Sequence, residues 1–413
     1  MPALEVENLR YYYRTRRGAV KAVDDVSFSI EPGETIAVVG ESGCGKTSTA
    51  NAIMRLLPRN VETYEGRVVL DGQDTMAYSN EEFRHKVRWR GISMVFQSAM
   101  NALSPTTRCG FQVAEPLMVH YDLEKEEALE AAREGLRNVG LSEDVAKRYP
   151  HELSGGMKQR VVIAMALVLK PKVVILDEPT SALDVMTQAN IINLLKGLQK
   201  ESRLAYLFIT HDLGLASELA DKVAIMYAGK IVEIGTASRV YPAPQHPYTQ
   251  KLIQSVPLLR GEVAPDFIPG VPPDLTSVPA GCRFHPRCPV SFKMCGWSAS
   301  ELQAFLEARS GATGQAGVKP LSAAKFEPKD SWKLVVKPKA GTAPADLASE
   351  IRALVDVERA KAPVLQGIET VRERGERVVI DLYAAAVPEL MGADGQRAAC
   401  WLLTEEGKRY AGG

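Results

Sequence analysis

The sequence predicts an α/β fold built on a buried parallel sheet, interrupted by a helical segment and followed by a smaller α+β unit. Three observations carry that prediction. Through residues 1–260, short β-branched apolar runs alternate with stretches of helical character: TIAVVG (35–40), RVVL (67–70), ISMVF (92–96), KVVILD (172–177) and AYLFIT (205–210), against segments such as TSTANAIMRLL (47–57). Continuous apolar runs of this length are typical of strands buried on both faces and joined by crossover helices. Between Gln97 and about Pro150 the strand signal stops, and EKEEALEAAREGLRNVG (124–140) sets apolar and charged residues at helical spacing, so a helical insert is expected there. From Val256 to Gly281 the prolines Pro257, Pro265, Pro269, Pro272, Pro273 and Pro279 crowd the chain, which favours extended backbone and marks a boundary. Beyond it SASELQAFLEA (298–308) reads as a helix and WKLVV (332–336) as a strand, followed by a helix near Ala345–Lys361 and the alternating strand RVVIDLY (377–383). The expected organisation is a core of 1–97 with 151–255, a helical part at 98–150, an extension of 256–296 with 396–413, and an α+β insertion at 297–395. A length of 413 residues agrees with two to three domains of roughly 150 residues each.

Composition narrows the functions available. Fifty Lys+Arg balance fifty Asp+Glu, so the chain lacks the global basic field of a dedicated nucleic-acid binder, and no nucleic-acid partner is expected. The longest apolar run, Val161 to Leu169, is about half of what a membrane-spanning helix needs. The N-terminal MPALEVENLRYYYRTRR has no apolar core of the signal-peptide kind, which predicts a cytosolic chain. Six cysteines are too few for a secreted disulfide scaffold, and a cluster of them in a reducing compartment points to metal or redox chemistry.

Gly40-Glu-Ser-Gly-Cys-Gly-Lys46-Thr47 matches G-x-x-x-x-G-K-[ST] directly after the strand TIAVV and before a helix-prone stretch, the context a phosphate-binding loop requires. Gly40, Gly43 and Gly45 let backbone N–H groups turn inward on phosphate oxygens alongside Ser42 and Ser48. Lys46 neutralises the β/γ charge and Thr47 offers a hydroxyl to Mg²⁺. The apolar run 173–176 then delivers Asp177 to the Mg²⁺ shell, and the next residue, Glu178, is set to polarise a water for attack on the γ-phosphate. An apolar run ending in Asp-Glu is by itself an ordinary solvated strand end; the pairing with Gly40–Thr47 is what gives it meaning. Cys44, inside the loop, reads as a small tolerated residue before a redox switch.

Leu153-Ser154-Gly155-Gly156-Met157-Lys158-Gln159-Arg160 closely resembles the LSGGQ-type signature of ATP-binding cassette (ABC) ATPases. Ser154, Gly155 and Gly156 would open a helix and make a second anion site. The resemblance continues in the family's order: Gln97 matches the Q-loop glutamine that reaches Mg²⁺ and the γ-phosphate, Ser181-Ala182-Leu183-Asp184 matches the D-loop, and His211 matches the switch histidine. Tyr13 is similar in position to the aromatic that stacks on adenine, with Tyr11 and Tyr12 close enough to blur the choice. The resemblance implies a P-loop ABC ATPase core, a RecA-like sheet with N-terminal antiparallel β elements and a helical subdomain. It also implies ATP and Mg²⁺ as ligands, catalytic roles for Glu178, His211, Gln97 and Lys46, and head-to-tail pairing in which each ATP lies between one subunit's loop and the other's signature, with Asp184 crossing over.

The C-terminal part resembles the extension of oligopeptide/dipeptide importer ATPases, through His246-Pro-Tyr-Thr-Gln-Lys-Leu252, Ile268-Pro-Gly-Val-Pro272 and Gly281-Cys-Arg-Phe-His-Pro-Arg-Cys-Pro289. That resemblance implies a peripheral subunit on the cytoplasmic face of a bacterial or archaeal membrane, beneath two integral permeases and fed by an extracytoplasmic solute-binding protein. It further implies a second ATPase subunit, usually a different paralogue, and a permease coupling helix docking on about 98–150. Nickel or oligosaccharide cargoes occur in the same branch, and a soluble ABC ATPase working in iron–sulfur assembly or on nucleic acid is the reading from another class. Cys282, Cys288, Cys295 and Cys400 are similar to four thiolates that hold a [4Fe–4S] cluster in members of this branch. Four soft ligands also suit zinc, although the spacing is not that of common zinc ribbons, and plain structural thiols are the third option. Two features depart from the family: 104 residues separate Cys295 from Cys400, and Ala399 or Trp401 stands where a histidine often flanks the last cysteine. Cys109 reads as a buried thiol of the helical part.

Overall fold

The computed structural model describes residues 1–256, 268–311, 321, 324–393 and 395–411. Pro257 and Pro265, and most of the Gly/Ala-rich stretch after Ala308, lie outside the described residues. The chain forms two compact units, one of residues 1–244, 256 and 395–396, the other of 245–255, 268–393 and 397–411 as far as they are described.

The first unit begins with two long strands, β1 (Leu4–Thr15) and β2 (Gly18–Ile30), paired antiparallel. Then follow β3 (Thr35–Val39), α1 (Lys46–Ile53), β4 (Val61–Leu70), β5 (Gln73–Asp74), α2 (Asn80–Lys86) and β6 (Ile92–Val95). A four-stranded antiparallel sheet runs β2-β1-β4-β5. RVVL (67–70) therefore lies in β4 on this sheet and not on the parallel one, a correction to the simple reading of apolar runs. Its Val68, Val69 and Leu70 are buried like the residues of any central strand, and burial carries no information about the direction of the neighbour.

The stretch 98–150, read as the helical part, holds α3 (Cys109–Tyr121) and α4 (Lys125–Asn138), and α5 (Gly155–Leu167) follows it. Ala128, Ala132 and Leu136, one helical turn apart on α4, are fully buried. Cys109 is a buried thiol at the start of α3, its backbone N–H bonded to Arg148 O at 2.9 Å. Next come β7 (Val173–Asp177), α6 (Val185–Ser202), β8 (Ala205–Thr210), α7 (Leu213–Leu219), β9 (Lys222–Tyr227), β10 (Lys230–Thr236) and the short α8 (Ala237–Val240). In the main sheet, β9-β3-β8-β7-β6 run parallel and β10 joins β9 antiparallel. Every residue of β3, β6, β7 and β8 is buried, as a sheet covered on both faces requires. Late in the chain Gln396 returns to this unit, its amide donating to the buried Glu233 carboxylate at 2.8 Å and to Ala243 O at 3.0 Å.

The second unit starts with α9 (Pro247–Gln254), capped by His246, and continues after residue 268 as irregular backbone with single turns up to Gly296. It then forms α10 (Ala299–Gly311), β11 (Lys325–Asp330), β12 (Lys333–Lys337), α11 (Pro344–Glu358), β13 (Ile368–Arg374) and β14 (Arg377–Leu382). The strands make an antiparallel sheet in the order β11-β12-β14-β13, and Leu302, Leu306, Leu334, Val336, Ile351 and Ile380 form its core with both helices. Here the chain repeats one local plan, helix then hairpin, and buries both copies together. The short β15 (Gln396–Ala398) and α12 (Glu405–Ala411) complete the described chain. Among the described residues no helix is long and apolar enough to cross a membrane.

Candidate functional site

The loop 40–45 leaves the buried end of β3 and turns into α1 with no room for side chains at its two ends. A Cβ on Gly40 would lie 2.1 Å from Met226 O, and one on Gly45, whose φ is +112°, would lie 2.1 Å from Ala22 O. Only glycine fits where the loop is pressed against β9 and β2. Lys46 is buried, its ammonium donating to Gly40 O at 2.7 Å and Glu41 O at 3.0 Å. The loop thus holds its own cation by its backbone carbonyls. Burial pushes the Cys44 thiol up against the opposing charge of Lys46, which keeps it protonated and unreactive.

Thr47 Oγ1 donates to Asp177 Oδ1 at 3.2 Å, tying α1 to the end of β7. Asp177 is buried, its Oδ2 has no hydrogen-bond partner, and burial raises its pKa to about 6 against the Thr47 hydrogen bond. A buried carboxylate oxygen without a donor suits a cation; with the Thr47 hydroxyl beside it, the hard oxygen set fits Mg²⁺. Glu178 takes a left-handed backbone conformation (φ +48°) and donates its N–H to Ile209 O at 2.9 Å, a non-glycine strain of the kind that clusters at working sites. That turn aims its carboxylate at two partners: Gln97 Nε2 at 3.0 Å and His211 Nδ1 at 3.0 Å. Gln97, Asp177–Glu178, His211 and the loop after Val39 thus converge from the carboxyl ends of four parallel strands, β6, β7, β8 and β3, the edge where open α/β sheets bind ligands.

The three tyrosines of β1 separate cleanly. Tyr11 is buried, and burial pushes its pKa to about 12. Tyr12 donates to Asp24 at 2.5 Å, whereas the Tyr13 hydroxyl meets Ser48 Oγ at 2.8 Å, on the helix that follows the loop.

Ser154, Gly155 and Gly156 form a second surface. Ser154 caps α5 by accepting from Met157 N, and Asp184 caps α6 by accepting from Thr187 N at 3.0 Å and Thr187 Oγ1 at 2.7 Å. A Cβ on Gly156 would fall 2.7 Å from Thr187 Cγ2, so the two helix starts abut. These residues line one open cavity with Arg160, and none of Gly40–Thr47, Asp177 and Glu178 lines it. One chain thus presents two separate helix entries, at α1 and at α5. The contribution of Thr187 was not legible in the sequence, because its role is to fasten Asp184.

Cys282, Cys288, Cys295 and Cys400 line one small pocket in the second unit, together with His246, Phe284, His285 and Trp401. The 104-residue separation is spanned by the α+β insertion, and Cys295 and Cys400 on either side of it line the same pocket. Burial pushes the thiols of Cys282, Cys288 and Cys295 up to about 12. Among the described residues no three His, Cys, Asp or Glu side chains stand at metal-binding geometry. The donor set nevertheless suits a soft metal group, and Trp401 Nε1 is a buried donor lacking a hydrogen-bond partner. Neither His246 nor Trp401 was expected here; the HPY stretch was the only sequence signal for His246.

Comparison with known proteins places these features. Residues 23–181 match the family model described as ABC transporter, and residues 232–295 match the oligopeptide/dipeptide transporter C-terminal region. The dipeptide transport ATP-binding protein DppD of Bacillus subtilis (strain 168) is 46% identical over 298 residues, covering 71% of this chain and 88% of the relative. The oligopeptide transport ATP-binding protein OppD of the same organism is 46% identical over 296 residues, covering 70% and 82%. Among solved structures, the dimeric post-hydrolysis state of the ATP-binding cassette MJ0796 bound to ADP and phosphate superposes with a TM-score of 0.51 at 31% identity, over 57% of this chain and 98% of that one. With the loop, the strand-end carboxylates and the signature all present on one such cassette, the chain belongs to the ABC transporter ATPases, in their oligopeptide/dipeptide transporter branch.

Proposed function

We propose that this chain is the ATP-hydrolysing subunit of a membrane importer for oligopeptides or dipeptides, at the cytoplasmic face of the membrane. Its partners would be two integral permeases, an extracytoplasmic solute-binding protein and a second, different ATPase subunit. The observation that carries the catalytic part is the Glu178 carboxylate, held between Gln97 and His211 beside the Thr47–Asp177 pair. In this reading Lys46 and the glycines of the loop bind the β/γ-phosphates, and Tyr13 packs on the adenine. Thr47 and Asp177, with Gln97, would hold Mg²⁺, which when bound supplies positive charge against the phosphate oxygens. Glu178 accepts the proton of the attacking water, which requires its carboxylate ionised and within hydrogen-bond reach of that water. His211 and Gln97 orient it through its two oxygens, and Gln97, at the entry to the helical part, would relay the state of the site to about 98–150, where a permease helix docks.

Ser154–Gly156 and Asp184 would complete the nucleotide site of the partner subunit, since they lie apart from the loop of their own chain. ATP bound across both faces then favours the closed pair, and loss of the γ-phosphate removes the contact that holds it shut. Cys282, Cys288, Cys295 and Cys400 would hold a [4Fe–4S] cluster, supported by their common cavity and soft donor chemistry. The peptide assignment draws on the DppD and OppD relatives and on the match at residues 232–295. Purification of the tagged chain from its native membrane tests the assembly: two integral permeases should accompany it, and peptide-loaded binding protein should raise its ATP turnover. Recovery with only a soluble scaffold or nucleic acid would contradict the importer.

A further inference from the structure

The sheet of the α+β insertion has two unlike faces. Leu334, Val336, Val378 and Ile380 pack on one side with the residues of α10 and α11. On the other side the antiparallel register lines residues up in rows across β11-β12-β14-β13. The first row is Lys325, Lys337, Arg377 and Arg374: Lys325 pairs with Lys337 and Arg377 with Arg374, and the β12–β14 register, which runs to Val336 and Val378, sets Lys337 beside Arg377. The second row is Glu327, Val335, Val379 and Arg372, and the third holds Lys333, Asp381 and Thr370. Like charges directly opposite one another destabilise a sheet, and little relieves the first row. Glu327 takes Lys337 at 2.5 Å and Lys329 at 3.2 Å, and Asp381 takes Arg372 and Lys333. Lys325, Arg374 and Arg377 are exposed, and among the described residues they have no ion-pair partner, Glu376 in the turn between β13 and β14 included. Val335 and Val379 are only 5% and 8% exposed, so this face presents charge without an apolar centre.

That combination selects among anionic partners. Specific protein–protein interfaces are built round apolar or aromatic anchors, and sheets that read single-stranded nucleic acid stack bases on aromatic side chains; these rows expose neither. A layer of anionic lipid headgroups asks only for clustered Lys and Arg. We propose that this face of the insertion docks on the anionic headgroup surface of a membrane, with Lys325, Lys337, Arg377 and Arg374 as its principal contacts. The attraction is electrostatic, and no side chain of the rows enters the acyl layer. The importer reading enters only through the nearness of a membrane; vesicle binding is measured on this chain without permeases, so the two can fail separately.

The test sediments the purified full chain with vesicles of phosphatidylglycerol and phosphatidylcholine in equal parts, and with vesicles of phosphatidylcholine alone. At low salt the chain should bind the mixed vesicles and not the neutral ones, and salt of about 1 M, which shortens the screening length to about 3 Å, should release it. The triple variant Lys325→Gln, Arg374→Gln, Arg377→Gln should lower partitioning about fivefold per charge removed, about a hundredfold in all. The triple Arg16→Gln, Lys125→Gln, Lys200→Gln, which removes the same charge from exposed positions of the first unit, should keep most of the binding. Should the first triple unfold, the three single substitutions decide, each expected to lose about fivefold. Singles that all bind like the wild type, equal losses in the two triples, or a wild type that ignores anionic vesicles would overturn the proposal. So would binding to single-stranded RNA in place of vesicles, which would make the face a nucleic-acid surface.

Discussion

At the scale of single residues, the site is dominated by one buried acid. Burial pushes the Asp177 carboxyl up to about 6, against an ordinary value of 3.8. The sign of the consequence is fixed: between the two values the native state binds more protons than the unfolded one, so stability falls as pH rises from about 4 to 6 and the loss persists above that. At 1.36 kcal/mol per pKa unit the loss is about 3 kcal/mol. Asp177→Asn should therefore stabilise the nucleotide-free protein by about 1–3 kcal/mol at pH 8, with the two proteins converging near pH 4 in urea denaturation, while Mg²⁺-dependent ATP turnover collapses. Equal stability at pH 8 would show that the carboxylate is not strained by burial. The identity of Asp177 was legible from sequence as a strand-end acid paired with a phosphate loop, and so were Lys46, Thr47 and Glu178. What the sequence did not carry was the arrangement in which Lys46 turns back on Gly40 and Glu41 and Glu178 takes both Gln97 and His211, because those contacts join residues up to 81 positions apart.

At the scale of elements, the starts of α5 and α6 interlock through Gly156 and Thr187, whose hydroxyl is held by Asp184. Adding a methyl group at Gly156 forces Thr187 to rotate or the helices to part, at a cost of about 1–3 kcal/mol. Gly156→Ala should lose that much in denaturant midpoint, and Thr187→Ser in the same chain, which removes the Cγ2 that would be struck, should restore most of it. An unaltered midpoint, or no rescue, would separate the two helix starts. Helices and buried strands were legible from period and run length: α4 shows its Ala128, Ala132 and Leu136 stripe, and α11 and β14 fall where alternation and helical spacing put them. Strand direction was not, since the buried trio Val68–Leu70 reads the same in β4 as in a parallel strand. The return of Cys400 to Cys295 was suggested by family resemblance alone, because no local pattern tells that an αββ-αββ insertion will bring its own ends together.

At the scale of the whole molecule, two units, each with its own core, divide the features: one carries the Gly40–Thr47 loop and the Ser154–Gly156 surface, and the other the thiol pocket. Ser154–Gly156 lie apart from Gly40–Thr47 within the chain, and on the proposed reading, in which a second subunit completes the nucleotide site, hydrolysis should report on association. The measurement that bears most directly on the account is peptide uptake into proteoliposomes holding this chain, its permeases, its second ATPase and the binding protein, with the wild type compared to Glu178→Gln. The account predicts ATP-dependent accumulation with wild type, and with the variant retained ATP binding but turnover and uptake both reduced at least about a hundredfold, the usual weight of a general base. Uptake that continued undiminished with Glu178→Gln, or without ATP, would contradict it.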